Sequence, residues 1–150
     1  MTSHHEPANS NTDEGIVADY YENYQDTQKE IMNMQLKKLR NVLFTMGLIV
    51  FLGDLLGLLM MNAVDLYTLL SIIIIPALVT GMAFLSAKQP LLSIIIATVL
   101  IVGIWVYTIV ILGATAAIMG WLLKALLIYF MIAGFQNALE AMRIKKELKA

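Results

Sequence analysis

Long apolar runs alternate with short polar breaks from Val42 to about Ala138. They read as four spans, at about Val42–Met61, Leu66–Leu85, Leu91–Leu112 and Ala116–Ala138. At 1.5 Å per residue, each is long enough to cross a hydrocarbon core of about 30 Å. The breaks are brief: Asn62 to Asp65, then Ser86-Ala87-Lys88-Gln89-Pro90, then Gly113-Ala114-Thr115. Pro90 is well placed to open a helix, where its missing N–H costs nothing. Short turns force neighbours to run antiparallel, so the pattern predicts an all-α membrane protein, an up-down-up-down bundle of four transmembrane helices.

Ahead of the spans the pattern changes. Residues 1–15 are polar, with Pro7 and Gly15, and read as a disordered tail. Ile16, Tyr20, Tyr24, Ile31 and Met34 then recur at helical spacing, with Asp19, Glu22, Asp26 and Glu30 elsewhere on the wheel. This predicts a cytoplasmic amphipathic helix over about residues 16–41, able to run on into the first span. Its polar face is acidic, so anionic lipid would repel it, and the apolar stripe calls for a protein partner or a second copy. The three tyrosines, with Tyr21, fit a buried stripe better than a recognition patch. Residues 139–150 read as a basic helical tail continuing the last span, with Glu140 and Arg143 spaced to pair.

Charge sets the orientation. Of the 10 Lys and Arg residues, all but Lys124 fall on one side of the spans. Lys29, Lys37, Lys38 and Arg40 precede the first span, Lys88 lies in the middle turn, and Arg143, Lys145, Lys146 and Lys149 follow the last. The positive-inside rule then places both termini in the cytoplasm. These bases are read as topology anchors, with no lipid-specific role. Tyr67, Tyr107 and Trp121 fall near the far interface, whereas Trp105 and Tyr129 fall deeper and are expected to pack between helices.

Composition agrees with a bilayer environment. The chain has 150 residues, of which 59% are hydrophobic, and a mean hydropathy of +0.76. A net charge of −1 gives no sign of nucleic-acid binding. With no cysteine there is no disulfide, Cys-based metal site or thiol chemistry. The first forty or so residues lack a signal-peptide pattern, and a bacterial inner membrane fits best. A free N-terminus before Thr2-Ser3-His4 could chelate Cu(II) or Ni(II), but histidine is common in polar tails, and neither metal nor cofactor is assigned.

Within the spans, polar chemistry is sparse. Asp54 is the one acid and Lys124 the one base. A charge at mid-membrane costs about 3 kcal/mol, so each needs an explanation. Asp54 lies about 18 Å from the basic end, and Lys124 about 12 Å from the other surface, so their depths match. They form a candidate intramembrane pair; the alternatives are a Lys124 that snorkels to the interface and an Asp54 that binds and releases a proton or cation. Asp54 shares a stripe with Gly47, Val50, Gly57 and Met61. Small-residue pairs mark candidate helix contacts: Gly53 with Gly57, Ala77 with Gly81, Gly134 with Ala138. Pro76 should kink the second span, with Ser71 and Thr80 near enough to satisfy the freed groups.

No catalytic cluster emerges, so the leading expectation is a non-enzymatic membrane subunit or scaffold that presents a cytoplasmic helix to a partner. The alternative is a proton-coupled small-molecule transporter, dimeric, working through Asp54. In outline this is similar to small multidrug-resistance transporters, which carry a glutamate in their first helix and almost no tails. Here an aspartate and a long acidic tail stand instead. A holin-like pore, suggested by small size and a basic end, ranks below both.

Overall fold

A computed structural model describes residues 10–61, 66–113 and 120–148. They form four helices: α1 Ser10–Met61, α2 Leu66–Leu85, α3 Pro90–Leu112 and α4 Trp121–Glu147. Three of these, α1, α3 and α4, are long and apolar enough to cross a membrane. The fourth, α2, is a 20-residue helix interrupted by nothing but Pro76. The outer surface is itself rich in exposed Leu, Ile, Val and Phe, such as Leu48, Leu52, Ile73, Ile74 and Phe84. A soluble protein does not leave so continuous an apolar surface in water.

The 52 residues of α1 make one uninterrupted helix. It begins at Ser10, inside the stretch the sequence pattern assigned to a polar tail, and passes through the border near Val42 without a break. The reason is local. Between Ile16 and Met46 there is neither Gly nor Pro, and Gln, Lys, Glu, Met and Leu are good helix formers. Thr27 and Thr45 fold their hydroxyls back onto the carbonyls of Asn23 and Asn41, at 2.9 Å each, and leave the helix intact.

The helix α1 packs on both α2 and α4, and α3 packs on α2 and α4 in turn. One core joins all four helices, built from Leu39, Leu43, Met46 and Ile49 of α1 with residues such as Val79, Ile94, Ile101 and Met131. The buried positions of α2 are Ile72, Pro76, Val79 and Ala83; those of α4 are Leu127, Met131, Gly134, Ala138, Ala141 and Ile144. Spacings of three and four residues, mostly alternating, keep a narrow seam facing its neighbours, the pattern of helices packed at a shallow left-handed angle.

Small residues set how closely the helices approach. A Cβ at Gly47 would meet Thr80 Oγ1 and lie 3.3 Å from the Pro76 carbonyl oxygen. The α1 backbone thus lies directly on the α2 turn at Pro76. One at Gly134 would lie 2.7 Å from Ile94 Cδ1 and 3.3 Å from Val42 Cγ1. Close backbone approach of this kind supplies the dispersion that holds helices together in lipid. Phe44 and Phe84 meet edge to face, their centroids 6.0 Å apart, and close the α1–α2 seam.

The packing face of α2 differs from the one its small residues suggested. Ala77 and Gly81 are exposed, and nothing lies within 4 Å of a Cβ built at Gly81. A pair of small residues four apart fixes no phase on the helix, whereas the repeat through Ile72, Pro76, Val79 and Ala83 does. The start of the last helix also moves. Gly120 has φ 69°, left-handed backbone that ends a helix, so α4 is seen from Trp121 and not across this position. Ala116 lies outside the described residues, as do the first nine residues with His4 and His5.

Gly47→Val should therefore lower the thermal midpoint in mild detergent, by an overpacking cost of about 1–3 kcal/mol. Gly81→Val should leave the midpoint unchanged. Equal losses at the two sites would contradict the Gly47–Pro76 contact.

Candidate functional site

Two features stand out: the helical segment that extends beyond the packed region, and the polar pair within the spans. At one end of the packed helices, Met32 and Leu36 of α1 lie with Ala87, Pro90, Ala141 and Lys145 around a small cleft. Lys145 Nζ donates to the Lys88 carbonyl at 3.1 Å and ties the end of α4 to the α2–α3 turn. That turn is closed by the Ser86 and Gln89 amides, which donate to Met82 and Leu85 at 3.0 Å. Ser86 Oγ and Ser93 Oγ, both buried, donate to the Ala83 and Pro90 carbonyls at 2.6 and 2.8 Å. Lys37, Lys38, Arg40, Lys88, Arg143, Lys145 and Lys146 thus form a basic belt at this end.

From Gly15 to Thr27 every residue of α1 is exposed, on all faces. Ile16 is 64% exposed, Tyr20 70%, Tyr24 53% and Met34 47%; Ile31 alone of the stripe is half-buried. From Ser10 to Met32 the helix extends about 33 Å. Tyr20 and Tyr21 contact edge to face at 6.4 Å, and Gln28 Nε2 donates to the Tyr24 hydroxyl at 3.1 Å. Lys29 pairs with Asp26 at 3.0 Å. These contacts stay within the helix, and nothing else in the chain covers the stripe among the described residues.

One buried polar group was missed by the sequence pattern. Gln35 is 8% exposed, and its Oε1 is buried with no hydrogen-bond partner among the described residues. It lies one turn before Leu39 on the core face of α1, where a polar residue in an amphipathic segment would be assigned to solvent. Only the continuity of α1 into the core reveals its burial.

Asp54 and Lys124 are both half-buried, on two helices that pack together. A Cβ at Gly53 would lie 3.4 Å from Leu123 Cδ1, so the residues directly preceding Asp54 and Lys124 meet across the α1–α4 seam. Depth is therefore shared. The ion pairs seen between described residues are Lys29–Asp26 and Arg143–Glu147, the latter at 3.2 Å; neither includes Asp54. Arg143 reaches forward to Glu147, at the i,i+4 spacing, and not back to Glu140. Gly57 has open space around it. Trp105 packs against the core, but Tyr129 is exposed and meets Phe130 edge to face at 5.6 Å, so only the first packs between helices. The side chains of Tyr67 and Ser71 are outside the described residues.

No metal-binding group of three or more His, Cys, Asp or Glu residues occurs among the described residues. The chain matches no protein-family model, and neither a curated protein nor a solved structure is detectably similar to it.

A double-mutant cycle of Asp54→Asn and Lys124→Met, read by thermal unfolding in detergent, should give a coupling below about 0.5 kcal/mol, under the mean for interhelical polar contacts in membranes. A coupling above about 1.5 kcal/mol would establish a direct pair.

Proposed function

We propose that this is a non-enzymatic membrane subunit or scaffold: a four-helix, up-down-up-down bundle, both termini cytoplasmic, that holds an amphipathic helix out to a protein partner. A bacterial inner membrane is the setting that the sequence favours. The observation that carries the reading is the exposed stripe Ile16–Tyr20–Tyr24 on a segment of α1 that none of the described residues covers. A rigid helix presents such a stripe with its conformational cost already met, as helix-in-groove recognition requires. The basic belt supports the orientation through the positive-inside rule. Trp121 and Tyr107, both exposed near the other end of the spans, are suited to the opposite interface. The acids Asp19, Glu22, Asp26 and Glu30 favour a partner with a basic rim.

Half-burial of Asp54 on the α1–α4 seam supports a second reading, proton-coupled transport by a dimer. In that case Asp54→Asn abolishes substrate-dependent proton flux with folding intact.

Replacing Ile16, Tyr20 and Tyr24 together by Gln tests the first reading. These side chains make no core contact, so the thermal midpoint should hold within about 0.5 kcal/mol. A stoichiometric partner or self-oligomer recovered from mild detergent should be lost. Recovery of the unaltered chain as a monomer alone, with this segment cut freely by protease, would contradict the scaffold.

A further inference from the structure

Between the start of α3 and the end of α4, at the basic belt, lies a groove of about 750 Å³. Its rim carries Lys88, Arg143, Lys145 and Lys146. Its walls are Leu91, Leu92 and Ile95 of α3 with Leu139 and Met142 of α4. The two sets lie at different depths. Ile95 is about 7 Å along α3 from Pro90, and Leu139 about 9 Å along α4 from Lys145. Both lead from the belt toward the apolar interior of the spans, so the groove is charged at the belt and apolar below it.

We propose that this groove is a binding site for an anionic phospholipid, with the headgroup phosphate held by Lys88, Arg143 and Lys146 and an acyl chain lying along Leu92, Ile95 and Leu139. Charge complementarity selects the occupant. The lining carries four bases and no acid; Glu147, one turn further on, engages Arg143 through Nε and leaves that side chain 81% exposed. Lys145 is turned toward the Lys88 carbonyl and fixes the two walls relative to each other. A basic pocket between helices at the membrane surface is the geometry that holds lipid phosphates, each base contributing electrostatic attraction. The acidic segment of a second copy does not fit. In the same bilayer it would project away from the belt, while the groove runs into the hydrocarbon. The proposal rests on the membrane-spanning helices and is independent of any partner of α1.

The test uses the full chain in a neutral maltoside detergent. Native mass spectrometry follows titration with dioleoyl phosphatidylglycerol, dioleoyl phosphatidylcholine or inorganic phosphate. Phosphatidylglycerol should be retained at one per chain, at least about tenfold more tightly than phosphatidylcholine, and millimolar phosphate should not displace it. The triple change Lys88→Gln, Arg143→Gln, Lys146→Gln should weaken retention about a hundredfold, since each base near a membrane surface contributes a several-fold factor. Lys37→Gln with Lys38→Gln, at the belt but outside the groove, should change it less than about threefold by the same electrostatics. Ile95→Trp fills the apolar wall and should abolish retention with every base in place; it decides the matter if the triple variant does not fold. Equal binding of the two lipids, displacement by phosphate, equal losses from both charge variants, or unchanged retention in Ile95→Trp would overturn the site. So would a dimer forming in place of the lipid adduct and lost in the triple variant.

Discussion

A hydrocarbon layer offers no water to a peptide group, so each backbone N–H and C=O within it must be satisfied inside the chain. The rest of this structure depends on that constraint. It makes the spans helical whatever their β-branched content, and α3 is full of Ile and Val that would favour strands in a soluble protein. It also explains Ser93 and Thr108, whose hydroxyls turn back onto carbonyls of their own helix. With backbone polarity met internally, what remains to hold the helices together is contact, and contact needs small residues. Gly47 against Pro76 and Gly134 against Ile94 are where that requirement is most visible.

The helix α1 serves two environments with one backbone. From Leu39 onward it contributes the central seam, packed on α2 and α4 at once. From Gly15 to Thr27 every residue is exposed, apolar side chains included. Helices in isolation are marginal in water, so the exposed segment draws its order from the packed one, as propagation from a nucleus already formed. Gln35 marks the passage between the two regimes: a polar residue on the core face at the level of the basic belt. That belt is more than a topological signal in this arrangement. Four of its charges line a groove between α3 and α4 whose walls are apolar.

Much of this was legible in the chain. The run from Leu66 to Leu85 and the start at Pro90 are bounded by residues that stop or open helices, and the bounds found agree to within a residue. The matching depth of Asp54 and Lys124 followed from counting residues along straight helices. Phase was harder to read. In a helix apolar all round, hydrophobicity does not say which face is buried, so Ala77 and Gly81 attracted attention while Pro76 and Ala83 formed the seam. A hydrophobic stripe likewise does not reveal whether its partner lies within the chain, and among the described residues nothing covers Ile16, Tyr20 and Tyr24. Gly120 fell inside the run Ala116–Ala138, because a positive φ leaves no mark in hydropathy. The groove could not be foreseen either, since it arises from two segments about fifty residues apart, joined through Lys145 and Lys88.

The central claim is that α1 is one rigid helix from the membrane core to its exposed N-terminal half. The chain has no native cysteine, so spin labels can be placed at Val17→Cys and Ala87→Cys without background. Ala87 lies at the level of Met32 and Leu36, so electron–electron resonance should give a single narrow distance near 25–30 Å, from about 17 residues of helix at 1.5 Å each. A broad distribution, or a dominant distance below about 15 Å from a helix folded back on the belt, would contradict it.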